Sequence, residues 1–455
     1  MNPSAAGANV RALAAQALQR IVAGRSLRVE FAAFSTKLDD SRDRALLSAL
    51  LHAGARWWLR FDAAASGLLE RPLPPREAVL QALLVLGLVQ IEVLGLAGYA
   101  AVDASVEAAR VLGKPKFAAL VNAVLRRWLR ERAGQEPTGR EGQRWPRAAG
   151  ARLAALDADP VTRSAHPRWL LDAFAADWPD DAEAIVAANN AEAPLWLRTN
   201  RRRVERGAFL QRLQAAGIAA QAPPQPPEAV QLATSADVTG LPGYADGLFS
   251  VQDAAAQFAA GLLDLRDGQR VLDACAAPGG KSAQILEHAD LRLLALDSDE
   301  RRLPRLRDNL ARLGLQAEVR AGDAAQPAPW WDGERFDRIL IDAPCSATGI
   351  IRRQPDVRLH RRASDVPALC KTQARILDAC WALLAPGGRL VYATCSVLAA
   401  ENAEQIAAFA ARHADARAQP VRLAGWHVQE GAGVQNLPGE SGMDGFFYAL
   451  LEKPC

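Results

Sequence analysis

The stretch VLDACAAPGGKS, residues 271–282, decides the fold class because it joins a short apolar strand to a helix through a glycine-bearing turn. The strand ends at Asp273, and Pro278-Gly279-Gly280 lets the backbone turn sharply and approach a ligand closely. A helix that begins near Lys281 directs its unpaired N–H groups toward the loop, which suits a carboxylate or a phosphate. The stretch therefore predicts a nucleotide-cofactor turn.

A second apolar strand, LRLLAL, ends at Asp297, seventeen residues after Gly280. Dinucleotide folds place the acid that binds the ribose hydroxyls at about this separation. The turn is neither GxGxxG nor a P-loop, so the cofactor need not be a dinucleotide. On spacing alone, an α/β turn that needs glycine only for its geometry remains an alternative.

From residue 247 onward, strand and helix patterns alternate. Strands are predicted near 270–274, 292–297, 316–320, 338–342 and 389–394. Such alternation is typical of a mostly parallel, doubly wound sheet, whose ligand crevice lies beyond the carboxyl ends of the strands. Residues 236–455 are therefore predicted to form the α/β domain that carries the site.

The chain before residue 236 divides into three parts. Residues 1–135 show helical periodicity at 11–22, 41–68, 76–95, 101–112 and 117–130, which predicts an all-α domain. Residues 136–160 are predicted to be a linker, because the sequence around 133–150 lacks periodicity and is rich in Gly and Pro. Residues 161–235 are predicted to form a small α/β module with one strand at 194–200.

The excess positive charge lies in the first third of the chain. Residues 1–150 hold 21 Lys and Arg against 13 Asp and Glu, whereas the whole chain holds 54 against 51. A basic module joined to a near-neutral one suits a polyanionic partner such as RNA. A solvated Arg-rich surface remains the alternative explanation.

Six cysteines, at 275, 345, 370, 380, 395 and 455, show no CxxC pair and no metal spacing. They are interpreted as reduced thiols of a cytoplasmic protein without a metal. The most apolar region, 78–102, is interrupted by Gln81, Gln90 and Glu92, so its apolar runs are shorter than the ~20 residues of a membrane span. We expect no signal peptide and no membrane association.

Three stretches carry a family resemblance: CAAPGGKS at 275–282, IDAPCSATG at 341–349 and YATCS at 392–396. Together, in this order, they resemble RNA cytosine-5 methyltransferases of the Sun/NOL/NOP family. The helices SRDRALLSALLHAGARWW (41–58) and KFAALVNAVLRRWLRE (116–131) resemble the NusB-type RNA-binding bundle that precedes the enzyme in this family. The resemblance implies a NusB-like all-α bundle, a small α/β RNA-binding module and a C-terminal Rossmann-like class I methyltransferase domain, with FFYALLE at 446–452 as an antiparallel edge strand.

The implied chemistry needs a thiolate, because carbon 5 of cytosine is too weak a nucleophile until a thiolate adds to carbon 6. Two cysteines at predicted strand ends fit, Cys345 and Cys395. By the resemblance, Cys395 attacks, Cys345 assists release of the methylated base, and Asp342 contacts the base edge. The cofactor implied is S-adenosyl-L-methionine, and its expected binding residues are Cys275, Ala276, Ala277, Pro278, Gly279, Gly280, Lys281, Asp297, Asp323 and Asp342.

The implied partner is 16S ribosomal RNA, in an unassembled or partly assembled small subunit, and we expect a monomer. The candidate RNA contacts are basic and amide side chains in the small module and after the second motif: Arg198, Asn200, Arg201, Arg202, Arg203, Arg352, Arg353 and Arg358. Two alternatives remain open: the same chemistry on tRNA or another RNA, and a non-catalytic RNA-binding ribosome assembly factor.

Overall fold

The computed structural model describes residues 3–132, 150–234 and 236–455. Contacts divide the chain into two compact units. The first comprises Met1–Asn190 together with Ile351–Arg361, and the second comprises Ala191–Ile350 together with Arg362–Cys455. The short segment 351–361 thus belongs to the first unit, although both of its chain neighbours belong to the second.

The α-helices of the described residues are, in chain order, α1 (Pro3–Val22), α2 (Leu27–Ser35), α3 (Ser41–Arg56), α4 (Trp58–Leu68), α5 (Ala78–Glu92), α6 (Gly98–Val111), α7 (Ala118–Arg132), α8 (Gly150–Ala158), α9 (Pro160–Ser164), α10 (Arg168–Asp177), α11 (Ala182–Asn190), α12 (Arg206–Ala215), α13 (Ala259–Leu262), α14 (Gly280–His288), α15 (Leu303–Leu313), α16 (Val357–His360), α17 (Asp365–Leu383) and α18 (Ala403–Arg412).

The strands are β1 (Leu195–Thr199), β2 (Ala220–Gln221), β3 (Ala229–Leu232), β4 (Phe249–Val251), β5 (Arg270–Asp273), β6 (Arg292–Asp297), β7 (Glu318–Ala321), β8 (Phe336–Asp342), β9 (Leu384–Thr394), β10 (Arg417–Gln419), β11 (His427–Gln429), β12 (Gly433–Asn436) and β13 (Phe446–Glu452).

The first unit is built around α5, whose sequence AVLQALLVLGLVQIE is apolar on nearly every side. A helix of this kind has to be surrounded by other helices, and α1, α3, α4, α6 and α7 all pack against it. Gly87 allows α7 to pack closely, because a Cβ there would lie 2.7 Å from two side-chain carbons of Leu125. The predicted all-α N-terminal bundle is confirmed.

The predicted linker, 136–160, lies partly outside the described residues, which resume at residue 150. Its final part is helical, since 150–158 form α8, which packs against α4. Asp159 then caps α9 by accepting hydrogen bonds from the backbone N–H groups of Val161 and Thr162. The part of the chain between α9 and the strand predicted at 194–200 is helical and forms α10 and α11, which belong to the first unit.

A four-stranded antiparallel sheet in the order β2-β3-β1-β4 opens the second unit. Helix α12 packs against β2 and β3. The buried side chains between them include Leu197, Phe209, Leu213, Val230 and Phe249. The strand predicted at 194–200 is β1, which pairs with β3 on one side and β4 on the other.

The large sheet of the second unit has the order β11-β12-β13-β9-β8-β5-β6-β7. Its strands β5 to β9 are parallel. Successive residues of β5 enter different cores, Val271 with residues of α14 and α15 and Leu272 with residues of α17 and α18. Helices therefore cover both faces, and the predicted doubly wound sheet is confirmed.

One expectation about this sheet is corrected. FFYALLE forms β13, which is antiparallel to β9 as expected. It is not an edge strand, because β12 pairs with 446–448 and β10 with 450–452 on its other side. Three further short strands thus extend the sheet beyond the predicted edge. Among the described residues, no helix has the length and apolarity needed to cross a bilayer.

Candidate active site

The glycine turn between β5 and α14 is fixed to the end of β6. The backbone N–H of Ala276 donates to the carbonyl of Leu296 at 2.8 Å, and that of Ala277 donates to Asp297 Oδ2 at 2.9 Å. Gly279 has a φ of +97°, a conformation that favours glycine, and a Cβ there would lie only 3.0 Å from Leu306 Cγ. A Cβ on Gly280 would meet nothing within 4 Å, so the first turn of α14 is open to a ligand.

Two expected cofactor-binding acids lie at the ends of the neighbouring strands β6 and β7. Asp297 is 3% exposed, accepts the N–H groups of Ala277 and Asp299, and lies 3.3 Å from a guanidinium nitrogen of Arg302. Asp323 is more accessible and accepts the N–H of Ala325 at 2.9 Å. Since β6 and β7 are parallel, both carboxyl groups lie at the edge of the sheet where the glycine turn begins.

Asp273, at the end of β5, supplies a buried carboxyl group that the sequence reading did not assign. Ser282 Oγ donates to its Oδ2 at 2.6 Å, whereas Oδ1 has no hydrogen-bond partner among the described residues. Burial raises the pKa of this carboxyl to about 7. An unpaired buried oxygen beside an open helix start fits a ligand that carries an ammonium group. The sequence feature that could have identified Asp273 is its position at the end of an apolar strand.

The two motif cysteines meet at the ends of β8 and β9. In the parallel register Asp342 lies opposite Ala393, so the loops that follow the two strands start side by side. The Sγ atoms of Cys345 and Cys395 are 3.4 Å apart. The hydrogen bond with Cys395 and burial raise the pKa of the Cys345 thiol well above its usual range. Cys345 therefore stays a thiol at neutral pH.

Lys281 connects the glycine turn with the second motif. Its Nζ donates to Asp342 Oδ2 at 2.7 Å and lies 4.8 Å from the centre of the Phe446 ring. Lys281 was expected among the cofactor-binding residues, and its ammonium group here pairs with Asp342, the acid expected to contact the base. This ion pair thus links the glycine turn with the end of β8, three residues before Cys345.

Two of the expected RNA contacts in the small module are corrected. Arg198 is fully buried, and its guanidinium donates to both carboxylate oxygens of Glu287, at 3.0 and 2.8 Å, and to the carbonyl of Gly280. Asn200 is also buried, and its amide donates to the carbonyl of Gly247. Neither side chain reaches the surface where a phosphate could bind. The side chain of Arg201 is 51% exposed, and its role remains a prediction.

Two expected RNA contacts after the second motif are corrected as well, since Arg352 and Arg358 are 3% and 1% exposed. The Arg358 guanidinium donates to the carbonyls of Arg56, Ala165 and Asn189 and to Asn190 Oδ1, all within the first unit. It satisfies carbonyl groups at helix ends rather than a phosphate. Arg353 is half-buried, and its contact with RNA remains a prediction.

Sequence reasoning also missed a group of buried polar residues behind the cysteines. Ser346 and Ser396 each follow a motif cysteine, and both hydroxyls donate to Glu401. The repeated Cys-Ser pair was a signal for the serines, whereas nothing marked Glu401. Among the described residues, no group of His, Cys, Asp and Glu has the arrangement of a metal site.

A doubly wound sheet with a glycine turn, strand-end acids and two facing cysteines defines a class I methyltransferase domain. Comparisons with known proteins agree along the chain. The model of the NusB family matches residues 8–130, that of the RsmF/B-like ferredoxin-like domain matches 166–239, and that of the 16S rRNA methyltransferase RsmB/F matches 260–452.

Full-length relatives extend this match. The ribosomal RNA small subunit methyltransferase B of Xanthomonas campestris pv. campestris is 49% identical over 454 residues, covering 99% of this chain and 98% of that protein. The protein of the same name from Pseudomonas putida is 47% identical over 448 residues, with 98% of each chain covered. A solved methyltransferase homologue from Pyrococcus horikoshii is 27% identical, with a TM-score of 0.58 over 66% of this chain and 99% of that one. The chain belongs to the ribosomal RNA small subunit methyltransferase B family.

Proposed function

We propose that this protein transfers a methyl group from S-adenosyl-L-methionine to carbon 5 of a specific cytosine in 16S ribosomal RNA, through a covalent cysteine–RNA intermediate. The observation that carries the proposal is the pair of thiols 3.4 Å apart at the ends of β8 and β9. Carbons 5 and 6 of a pyrimidine are bonded neighbours, so two adjacent thiols can act on the same base. Family membership supports the methyl transfer.

The cofactor would be held by the glycine turn and the strand-end acids: Cys275, Ala276, Ala277, Pro278, Gly279, Gly280, Lys281, Asp297, Asp323 and Asp342. When bound, it supplies a methyl group on a positively charged sulfur. The free oxygen of Asp273 suits its ammonium group, Asp297 its ribose hydroxyls and Asp323 its adenine amino group. The open start of α14 suits its carboxylate.

In the proposed reaction, the Cys395 thiolate forms a bond to carbon 6, which makes carbon 5 nucleophilic. Asp342, held by Lys281, hydrogen-bonds the amidine edge of the cytosine. After carbon 5 has gained the methyl group, its proton passes to a water molecule, the carbon 5–carbon 6 double bond re-forms, and Cys395 leaves carbon 6 as a thiolate, which restores the aromatic ring. The Cys345 thiol, whose pKa is raised and whose Sγ lies 3.4 Å from that of Cys395, assists this release by donating a hydrogen bond to the departing sulfur.

The proposed substrate is 16S ribosomal RNA in an unassembled or partly assembled small subunit in the cytoplasm, because the target base must leave its stack to reach a thiol. Bisulfite sequencing of 16S RNA tests this, with a deletion strain compared with the same strain carrying the gene. One cytosine of 16S RNA that resists bisulfite conversion in the complemented strain should be converted in the deletion strain. If instead a cytosine in tRNA becomes open to bisulfite conversion in the deletion strain, the result would favour the same chemistry on another RNA. Unchanged protection everywhere would favour a non-catalytic assembly factor.

Asp297→Ala is expected to weaken cofactor binding about tenfold or more, since a hydrogen bond to a charged group is worth ~1.5–3 kcal/mol. Calorimetry with S-adenosylmethionine measures the affinity. Asp290→Ala is the matched control, because the Asp290 side chain is 80% exposed and forms an ion pair with Arg202 at 2.7 Å, away from the glycine turn. Equal affinities of the two variants would remove Asp297 from the cofactor site.

Asp273→Asn is expected to change how stability depends on pH. Because the folded-state pKa of Asp273 is raised to about 7, its contribution is present at acidic pH and is lost as the pH rises toward 7. The wild type should therefore lose up to about 3 kcal/mol more than the variant between pH 5 and pH 8, at 1.36 kcal/mol per pKa unit. Thermal melts of both proteins without cofactor provide the measurement, and parallel pH curves would contradict the assignment.

Arg201→Gln is expected to weaken RNA binding modestly and to lower the salt slope by about one counterion, as loss of one phosphate contact would. The Arg201 side chain is 51% exposed but lies 3.4 Å from the buried carboxylate of Glu228, so the unfolding midpoint of the variant is compared with that of the wild type before RNA binding is measured. Binding of 16S RNA fragments is measured from 50 to 300 mM salt, roughly the range over which counterion release is visible. An unchanged slope would make Arg201 a surface residue without an RNA contact.

A further inference from the structure

The two cysteine loops converge on one buried carboxyl group. Ser346 and Ser396 follow Cys345 and Cys395 directly, and both hydroxyls donate to Glu401 Oε2. The backbone N–H of Ser346 donates to the other oxygen, Oε1, at 2.8 Å. The two serine oxygens are 3.1 Å apart, and Ser346, Ser396 and Glu401 are all fully buried. A single side chain therefore joins the residues that follow the two thiols.

The residues that precede the two cysteines are held by the neighbours of Glu401. Gln373 of α17 donates to Glu401 Oε1 and to the carbonyl of Pro344, both at 3.0 Å. Asn402 accepts a hydrogen bond from the Thr394 hydroxyl and donates to the carbonyl of Ser396. The residues on both sides of each cysteine are thus hydrogen-bonded either to Glu401 itself or to Gln373 or Asn402, which lie next to Glu401 in space or in sequence.

This arrangement controls the separation of the thiols. The backbone N–H of Gly349 also donates to the carbonyl of Cys395 at 2.9 Å, so the loops after β8 and β9 are joined at a second point, and Glu401 fixes the residues next to the thiols. The catalytic step needs both Sγ atoms at one pyrimidine. A carboxylate accepts several hydrogen bonds in fixed directions and no other side chain of this length does so. Groups buried in this way keep their partners because a buried polar group without a hydrogen bond is strongly disfavoured.

We propose that Glu401 is a positioning residue that holds the two cysteine loops in register, so that both thiols reach the same base. The proposal rests on the proposed function, since it assigns a catalytic role to both thiols. Glu401 does not touch the substrate in this arrangement and acts through Ser346 and Ser396. The charge of Glu401 also contributes to the raised pKa of Cys345, which suits a residue that stays a thiol.

The first test does not depend on methylation. It measures how readily the Cys345 and Cys395 thiols meet, from the rate at which they form a disulfide. A disulfide reagent, 4,4′-dithiodipyridine, oxidises two nearby thiols to a disulfide and is itself reduced to two thiopyridones. In the wild type, the Cys345–Cys395 disulfide should form rapidly, and peptide mapping by mass spectrometry identifies it. In Glu401→Gln we expect formation at least about tenfold slower, because an amide offers only one oxygen where two hydroxyls and an N–H need acceptors.

The second test measures kcat and KM for RNA methylation. Glu401→Gln should lower kcat about 100-fold, as a misplacement of about 1 Å does, with KM for RNA and affinity for S-adenosylmethionine unchanged. The matched control is Glu404→Gln, three residues later and exposed. If Glu401→Gln does not fold, the double variant Ser346→Ala/Ser396→Ala carries both tests, because it removes only the two hydroxyls.

The outcomes separate this proposal from the proposed function. Slow disulfide formation together with a low kcat supports the positioning role. Disulfide formation at the wild-type rate in the folded variant overturns it, whatever happens to methylation. If the wild type methylates no RNA while its thiols still pair rapidly and Glu401→Gln slows that pairing, the proposed function fails and the positioning role stands.

Discussion

Cys395→Ala is expected to abolish methylation and to leave no covalent protein–RNA species, because no thiolate then adds to carbon 6. Cys345→Ala should give a different result, in which a covalent protein–RNA species forms and persists. Its Cys395 thiolate still adds and carbon 5 still gains the methyl group, but release is slow. The variant should therefore accumulate a protein–RNA adduct that survives denaturing electrophoresis, as covalent catalysis implies when its second half is impaired.

The geometry makes this contrast sharp, since the two thiols are 3.4 Å apart yet differ in environment. Cys345 is 8% exposed and its pKa is raised, whereas Cys395 is more accessible. Cys370→Ala is the matched control, because Cys370 is a partly buried thiol on α17 that donates to the carbonyl of Ala400. An adduct in Cys395→Ala instead would exchange the two roles. Methylation by both variants without an adduct would make the thiols structural.

The location of the site could be predicted from sequence because it depends on strand ends. The turn at 275–282 and the loops at Cys345 and Cys395 each follow an apolar strand, and parallel strands bring their carboxyl ends to one edge. Apolar periodicity and glycine turns depend on residues that are neighbours in the chain, so they can be recognised from the sequence alone. The same reasoning failed for β13, because the strands that cover it are only three or four residues long.

The roles of the arginines could not be predicted in the same way. An arginine side chain is long, and its sequence neighbours do not show whether its head group reaches water or a buried carbonyl. Arg198 follows three apolar residues on β1 and is buried, whereas Arg201, three residues later, is half exposed. Arg358 is bound by carbonyl groups more than 160 residues away in the chain, and no local pattern encodes such a contact.

The buried pair of Arg198 and Glu287 gives the largest expected effect on stability. Both side chains are at most 1% exposed, so each charge depends on the other. Arg198→Met leaves the Glu287 carboxylate buried without its cation, and removing one partner of a buried ion pair typically costs about 3–5 kcal/mol. We expect a correspondingly lower midpoint in thermal and urea unfolding. Arg202→Met, whose carboxylate partner Asp290 is 80% exposed, should change stability by less than about 0.5 kcal/mol.

A second variant distinguishes a structural role of Arg198 from an RNA contact. Arg198→Met/Glu287→Met removes both charges and should recover much of the lost stability, since replacing a buried ion pair by apolar residues is often nearly neutral. Arg198 Nη1 also donates to the carbonyl of Gly280 at 2.8 Å, in the first turn of α14. The double variant should therefore bind S-adenosylmethionine more weakly even when its stability is restored, while its RNA affinity and salt slope stay at the wild-type value. If Arg198→Met is as stable as the wild type but binds RNA more weakly, the result would instead support a direct contact between Arg198 and RNA.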